Sequence, residues 1–281
     1  MRIRIAHEIT HRYAPPARML VQNLRLTPHG FDSQYVLGWR IALDIDSALK
    51  SSEDAHGNVA STFSYHGEPI ERLTVTAAGE IETSDSAGVV RGTVERLPAE
   101  MYLRDSPLAR VNGALRAFSA EAAAGADDPL DAMHRLMSAL HGIMTFDPFQ
   151  TDEPDSAAEA FALRRGRARD FAHIFIACAR VLGAPARFVN GYRAAEEEGG
   201  ETGEEGGEEP GAHCWAEAHV PRLGWVAFDP TACICADTRY VRVAVGFDAR
   251  DGGFVSAAHG MGEDKVESVI RIEQARFQTQ A

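Results

Sequence analysis

Arg164-Arg165-Gly166-Arg167-Ala168-Arg169-Asp170-Phe171-Ala172-His173 runs without a break into Ile174-Phe175-Ile176-Ala177-Cys178-Ala179-Arg180-Val181-Leu182 and halts at Gly183-Ala184-Pro185. From Phe171 onward the run is apolar nearly all round, the mark of a buried central helix. Gly183 is a stop signal, and Pro185 cannot continue a helix. Position 168 therefore falls at the helix N-terminus. There the unpaired backbone N–H groups and the helix dipole favour negative charge, and Arg167 and Arg169 add to it. A thiol at this place would be strongly activated. Ala168 offers only a methyl group.

Two segments downstream complete the pattern. Gly211-Ala212-His213-Cys214-Trp215-Ala216-Glu217-Ala218-His219-Val220 alternates. Cys214, Ala216, Ala218 and Val220 form a small apolar face suited to packing on a helix, and His213, Trp215, Glu217 and His219 form the other. Pro221-Arg222-Leu223-Gly224 then turns the chain into Gly224-Trp225-Val226-Ala227-Phe228-Asp229-Pro230-Thr231. Loop parity decides the geometry. An even loop would place His213 and Asp229 on opposite faces. A three-residue loop, Pro221 to Leu223, pairs Val220 with Gly224 and sets Asp229 opposite Trp215, diagonal to His213 on the same face. Asp229 can then orient the imidazole and stabilise its charged form.

Working outward, the first hundred residues read as strands. Ile3, Ile5, Ile9 and Tyr13 share a parity, Leu24 and Leu26 alternate with Arg25, and Tyr35 to Ile45 holds a period of two. Asp54-Ala55-His56-Gly57-Asn58 is a turn signal before a strand from Val59 to Tyr65. An antiparallel β-sandwich-like domain over residues 1–103 follows from this. From about Ser106 the period changes to three or four, through Leu108, Val111, Leu115 and Phe118. It repeats through Leu130, Met133, Met137, Leu140 and Met144 after the helix start Asp127-Asp128-Pro129. Residues 104–281 thus form a second, mixed domain, and the fold class is α+β.

The formal net charge of -13 and the lack of a basic stretch with interleaved aromatics argue against a nucleic-acid partner. No apolar run matches a signal peptide or a membrane span, so a cytoplasmic location and no membrane partner are the expectation. Four cysteines, Cys178, Cys214, Cys233 and Cys235, are too few for a disulfide scaffold. Cys233-Ile234-Cys235 lacks a second pair at metal-site spacing, so no metal and no cofactor are expected. Residues 196–209 contain eight Glu, five Gly and one Thr. That composition predicts a solvated loop, and its place just before His213 leaves open a lid or charge filter.

These residues carry a family resemblance. Gly-x-Cys-x-Asp-Phe-Ala-His opening a buried helix, then His-x-Trp-Ala-Glu, then Gly-Trp-x-x-Phe-Asp-Pro-Thr is the pattern of bacterial transglutaminase-like proteins. Here the motifs read Gly166-Arg-Ala168-Arg-Asp170-Phe-Ala-His173, His213-Cys-Trp215-Ala-Glu217 and Gly224-Trp225-Val-Ala-Phe-Asp229-Pro-Thr231. Pro185-Ala-Arg-Phe-Val-Asn-Gly191-Tyr192, Leu24-Arg-Leu-Thr-Pro28 and Asp54-Ala-His-Gly57-Asn58 also resemble the family. The resemblance implies a papain-like core with a central helix packed on an antiparallel sheet. It also implies a Cys-His-Asp triad acting on peptide or protein amides through a thioester that water or an amine resolves. The nucleophile's place is Ala168, His213 is the general base and acid, and Asp229 orients it.

The chain is therefore expected to be a catalytically silent form of an amide hydrolase or acyltransferase. Either a cysteine has been replaced by design, or the chain is a natural non-enzymatic relative that keeps the cleft to bind peptides. Cys178 lies about 15 Å along the helix from position 168, and Cys214 points to the face opposite His213, so neither replaces the missing thiol. Trp215, His173 and Asp170 are candidate substrate contacts. Each also has a plainer reading: Trp215 as core or cleft wall, His173 as a satisfied core histidine, Asp170 as a helix-start carboxylate. Glu217 and His219 read as solvated edges of their strand.

Overall fold

The computed structural model describes residues 1–150, 154, 156–195, 211–259 and 263–274; the acidic run at 196–209 lies outside the described residues. The chain opens with β1 (Arg2–Thr27), β2 (Gln34–Leu43), β3 (Lys50–Glu53) and β4 (Val59–Thr83), joined as antiparallel neighbours. The alternation of buried and exposed residues along β1 is what a one-sided sheet requires. Segments that look like separate strands in the sequence are halves of the two long strands β1 and β4. Register shifts between Arg12 and Ala17 bend the pair, and residues from both halves, Ile9 and Tyr13 with Leu20, Leu24 and Leu26, meet in one apolar cluster.

The core follows. Its helices and sheet are β5 (Val89–Val90), α1 (Gly113–Ala122), α2 (Pro129–Ile143), β6 (Thr145–Phe146), α3 (Ala157–Leu163), β7 (Arg165–Gly166), α4 (Ala168–Val181), β8 (Ala186–Arg193), β9 (Gly211–Val220), β10 (Gly224–Asp229), β11 (Ile234–Cys235), β12 (Tyr240–Gly246) and α5 (Ala249–Gly252). The side chain of Asp128 accepts from the backbone of Leu130 and Asp131 with Pro129 in the first turn, so the expected helix start is a capped one. The helical period through Leu108 and Val111 does not become helix. Asn112 caps the N-terminus by accepting from Leu115, and Leu108 instead donates its backbone N–H to Asp248.

The central sheet has the order β11-β10-β9-β8-β12, with β5 beside β10. α4 is buried from Asp170 to Arg180 and packs on β8 and β9. Phe171, Ile174, Phe175 and Ile176 meet Ala216, Ala218 and Phe228 in the core, each large side chain contributing about 1.5–3 kcal/mol through burial. Two last strands, β13 (Val255–His259) and β14 (Glu263–Gln274), leave the core and pair with β1, so the first sheet is built from both ends of the described chain. No helix among the described residues is long and apolar enough to cross a membrane.

Candidate active site

β6 and β7 pair in parallel immediately before α4 and fix where that helix starts. A Cβ on Gly166 would lie 2.8 Å from the Cβ of Asp170, so only glycine fits there. Asp170 is 3 % exposed, and its Oδ2 accepts from the backbone N–H of Arg167 at 3.0 Å, the reciprocal half of a capping box. Arg167 turns its guanidinium onto the carbonyl of Gln150. Ala168 is thereby the first residue of α4, at the positive end of a fourteen-residue helix.

The hairpin has the register that loop parity demands. Val220 pairs with Gly224 and Ala216 with Phe228. His213 and Asp229 meet directly: Nε2 of His213 bonds Oδ2 of Asp229 at 2.7 Å, with both residues buried. Asp229 Oδ1 accepts from the Thr231 backbone at 2.9 Å and hydroxyl at 2.6 Å, which gives the Asp-Pro-Thr sequence a physical reason. The Tyr240 hydroxyl donates to Oδ2 at 2.7 Å. Burial alone would raise the carboxyl pKa, but His213, Thr231 and Tyr240 outweigh it and hold Asp229 well below the usual carboxylate range. Burial, and then the Asp229 charge, push the Tyr240 phenol up, so it stays a donor. With Nε2 bound to Asp229, Nδ1 is the ring nitrogen of His213 that this bond leaves uncommitted.

Trp215 stacks on the His213 ring at 6.3 Å and meets Tyr240 edge-on at 5.3 Å. It is 1 % exposed and backs the imidazole from within the core, the plainer of its two readings. Gly191 makes room for it: a Cβ there would lie 2.7 Å from the indole. His173 is likewise withdrawn. Its Nε2 accepts the backbone N–H of Ala249 at 3.1 Å, its ring lies against Phe188, and burial lowers its pKa to about 3. Asp170 is committed to the helix start through its bond from the Arg167 N–H. His173 and Asp170 were drawn in because their own polarity is visible in sequence while the backbone groups that satisfy it are not.

Glu217 corrects the sequence reading most sharply. It is fully buried, not solvated, and Oε2 accepts from Arg187 Nε at 2.6 Å while Oε1 accepts from Arg242 Nε at 2.8 Å. Arg187, also fully buried, bonds Glu95 at 2.7 Å and lies 3.9 Å from the centre of the Trp225 ring. Burial pushes the Glu217 carboxyl up, but Arg242 and Arg187 outweigh it and hold it below its ordinary value. A carboxylate inside an apolar strand was the available signal. His219 is half-buried with its ring edge-on to Trp225. Tyr240 had no signal, standing in an ordinary strand pattern. Cys214 places its Sγ 3.6 Å from Asn190 and is pushed up to about 12 by burial, and Cys178 to about 11. Among the described residues no group of three His, Cys, Asp or Glu side chains could hold a metal ion.

Residues 116–230 match the transglutaminase-like superfamily, and residues 3–82 match the bacterial transglutaminase-like N-terminal region. The chain belongs to the transglutaminase-like superfamily. An uncharacterised protein of Mycobacterium tuberculosis (strain H37Rv) is 27 % identical over 270 residues, covering 89 % of this chain and 85 % of its own. One of Mycobacterium leprae is 26 % identical, covering 96 % and 98 %. A solved structure from Cytophaga hutchinsonii, provisionally assigned as a cysteine protease, superposes with a TM-score of 0.75 at 17 % identity, covering 99 % of this chain and 92 % of that one. That likeness establishes the fold: an α+β core with an N-terminal strand domain.

Proposed function

We propose that this chain carries the amide-processing site of a transglutaminase-like cysteine enzyme with the nucleophile position filled by Ala168, and that as it stands it performs no thioester chemistry. The observation that carries this reading is the buried His213–Asp229 bond of 2.7 Å, kept on a strand packed against the helix that Ala168 opens. With a cysteine at 168, Nδ1 of His213 would take the thiol proton and the thiolate would attack an amide carbonyl. The imidazolium would return the proton to the departing amine or ammonia, leaving a thioester for water or a second amine. Asp229, held ionised, would stabilise the imidazolium. An alanine removes the bond-forming atom, a loss on the order of 10⁴-fold or more.

Restoring the thiol tests this. Ala168→Cys gives a site that iodoacetamide labels rapidly at neutral pH, and His213→Ala in that background slows the labelling. Cys178 is the internal reference, since burial pushes its thiol up to about 11. Labelling at 168 no faster than at Cys178 sinks the proposal. A second reading, in which the chain binds peptides without turning them over, is favoured by the intact His213–Asp229–Tyr240 chain in a protein whose position 168 holds no thiol. Calorimetric binding of a glutamine-containing peptide to the unaltered chain, abolished in His213→Ala, supports it. An alanine codon in the source gene assigns Ala168 to nature rather than to design.

A further inference from the structure

β12 is an edge strand: β8 is its only ladder partner among the described residues. Its other edge is not left to solvent. Gln34 of the N-terminal sheet donates Nε2 to the Arg242 carbonyl at 2.8 Å and accepts the Arg242 N–H on Oε1 at 2.8 Å. Asn58 does the same to Val245, donating at 2.7 Å and accepting at 2.8 Å. Each amide side chain reproduces the paired donor and acceptor of a neighbouring strand. Just before β12, the Thr83 hydroxyl donates to the Thr238 carbonyl at 2.5 Å. Five side-chain hydrogen bonds from the N-terminal domain therefore hold the backbone on both sides of Tyr240.

Tyr240 is where this backbone meets the candidate active site, through its 2.7 Å bond to the Asp229 oxygen that also accepts His213. A cavity of about 30 Å³ lies at the same junction, with Gln34 and Thr83 on its N-terminal side and Trp215 and Tyr240 on the other. Gln34 and Asn58 are both nine-tenths buried, so neither amide has water as a ready substitute for the strand it holds.

We infer that Gln34, Asn58 and Thr83 are positioning residues for the candidate active site: the N-terminal domain holds β12, β12 holds Tyr240, and Tyr240 sets how much of Asp229 is available to His213. This gives the N-terminal domain a part in tuning the general base, beyond covering the core. The consequence for chemistry rests on the proposed function; the test does not. Among the described residues, the charged groups nearby include Arg193, whose guanidinium lies 5.5 Å from the centre of the Tyr240 ring, Asp237, whose charge also acts on the Tyr240 phenol, and Arg169 and Asp170 at the start of α4, which interact with the neighbouring Cys214.

The experiment uses the full chain with Ala168 in place. Proton NMR reads the far-downfield resonance of the His213 Nε2 proton, whose position follows the strength of its bond to Asp229. Tyr240→Phe removes the competitor for Oδ2 and moves this resonance downfield. Gln34→Leu and Thr83→Val release β12 and move it the same way by less. In the Tyr240→Phe background neither has a further effect, because the route passes through the Tyr240 hydroxyl. Additive displacements, or an unmoved resonance in Gln34→Leu and Thr83→Val with the fold intact, overturn the inference. Thr83→Val removes one hydroxyl at near-constant volume and decides the matter alone if Gln34→Leu does not fold. Failure of the proposed function is a separate result, read as slow labelling of the Ala168→Cys thiol.

Discussion

Glu217 shows how a single residue can be misread and then explained. Its parity is visible in sequence, on the same face as His213, but Arg187 and Arg242 lie thirty and twenty-five positions away. Local pattern places a carboxylate on a face; only long-range pairing says whether that face is wet. Glu217→Ala leaves the buried Arg187 with Glu95 as its one carboxylate partner among the described residues. Breaking one partner out of such a pair costs about 3–5 kcal/mol, to be read from urea denaturation, and a loss under 1 kcal/mol would mean that the arginines find water. Two buried histidines give a pH signature. Burial lowers His7 to about 4 and His173 to about 3, against roughly 6.5 when unfolded. Above that unfolded value both states are neutral and stability is fully present. As pH falls below it the unfolded chain takes up protons that the folded chain refuses, so stability declines until the folded values are passed. Denaturation midpoints between pH of about 7.5 and 5 measure this, and His7→Gln should make the decline shallower.

At the scale of elements, the hairpin of β9 and β10 was the most legible part of the molecule. Its register followed from one integer, the odd number of residues from Pro221 to Leu223, because strand side chains repeat every two residues. α4 was legible for a related reason: a run that is apolar on every side can only be central. The helix expected from Leu108 was not, because a three-to-four spacing also arises by accident in a loop whose apolar residues all face one core. The hairpin argument makes its own prediction. Inserting one glycine between Arg222 and Leu223 makes the loop even, and then either Asp229 leaves the face of His213 or the apolar residues of β10 leave the core. The downfield His213 resonance should vanish together with a large fall in melting temperature. Inserting two glycines restores parity and should recover the resonance at a small cost in loop entropy, about 0.6 kcal/mol for each doubling of loop length. Equal behaviour of the two insertions would show that register is set elsewhere.

At the scale of the molecule, the least legible feature is that β13 and β14 return to the first sheet. Their alternation is that of any strand, and nothing local specifies a partner some 250 residues earlier. The pairing is extensive: β14 runs beside β1 from Ile3 to Ala14, β13 from Leu20 to Leu24, and the Arg25 N–H reaches the Phe254 carbonyl at 2.8 Å. Phe254 stacks on Tyr192 of the core, and Tyr192 in turn bonds the buried His7 of β1 at 2.9 Å, while Ile270 and Ile272 pack on the cluster of Ile3, Ile5 and Val241. The last strands are thus a clasp across both units. Ending the chain after Gly253 strips an edge from β1 and opens that cluster, yet spares the bonds of Gln34, Asn58 and Thr83 to the backbone around β12. Hydrogen exchange should therefore show protection lost first along β1, while α4, β9 and β10 stay protected, and the truncated chain should self-associate through the bared edge. If protection were lost at equal rates in both sheets, the clasp would be holding the whole fold rather than the first sheet, and the amide side chains of Gln34 and Asn58 would be too weak to keep β12 in place without it.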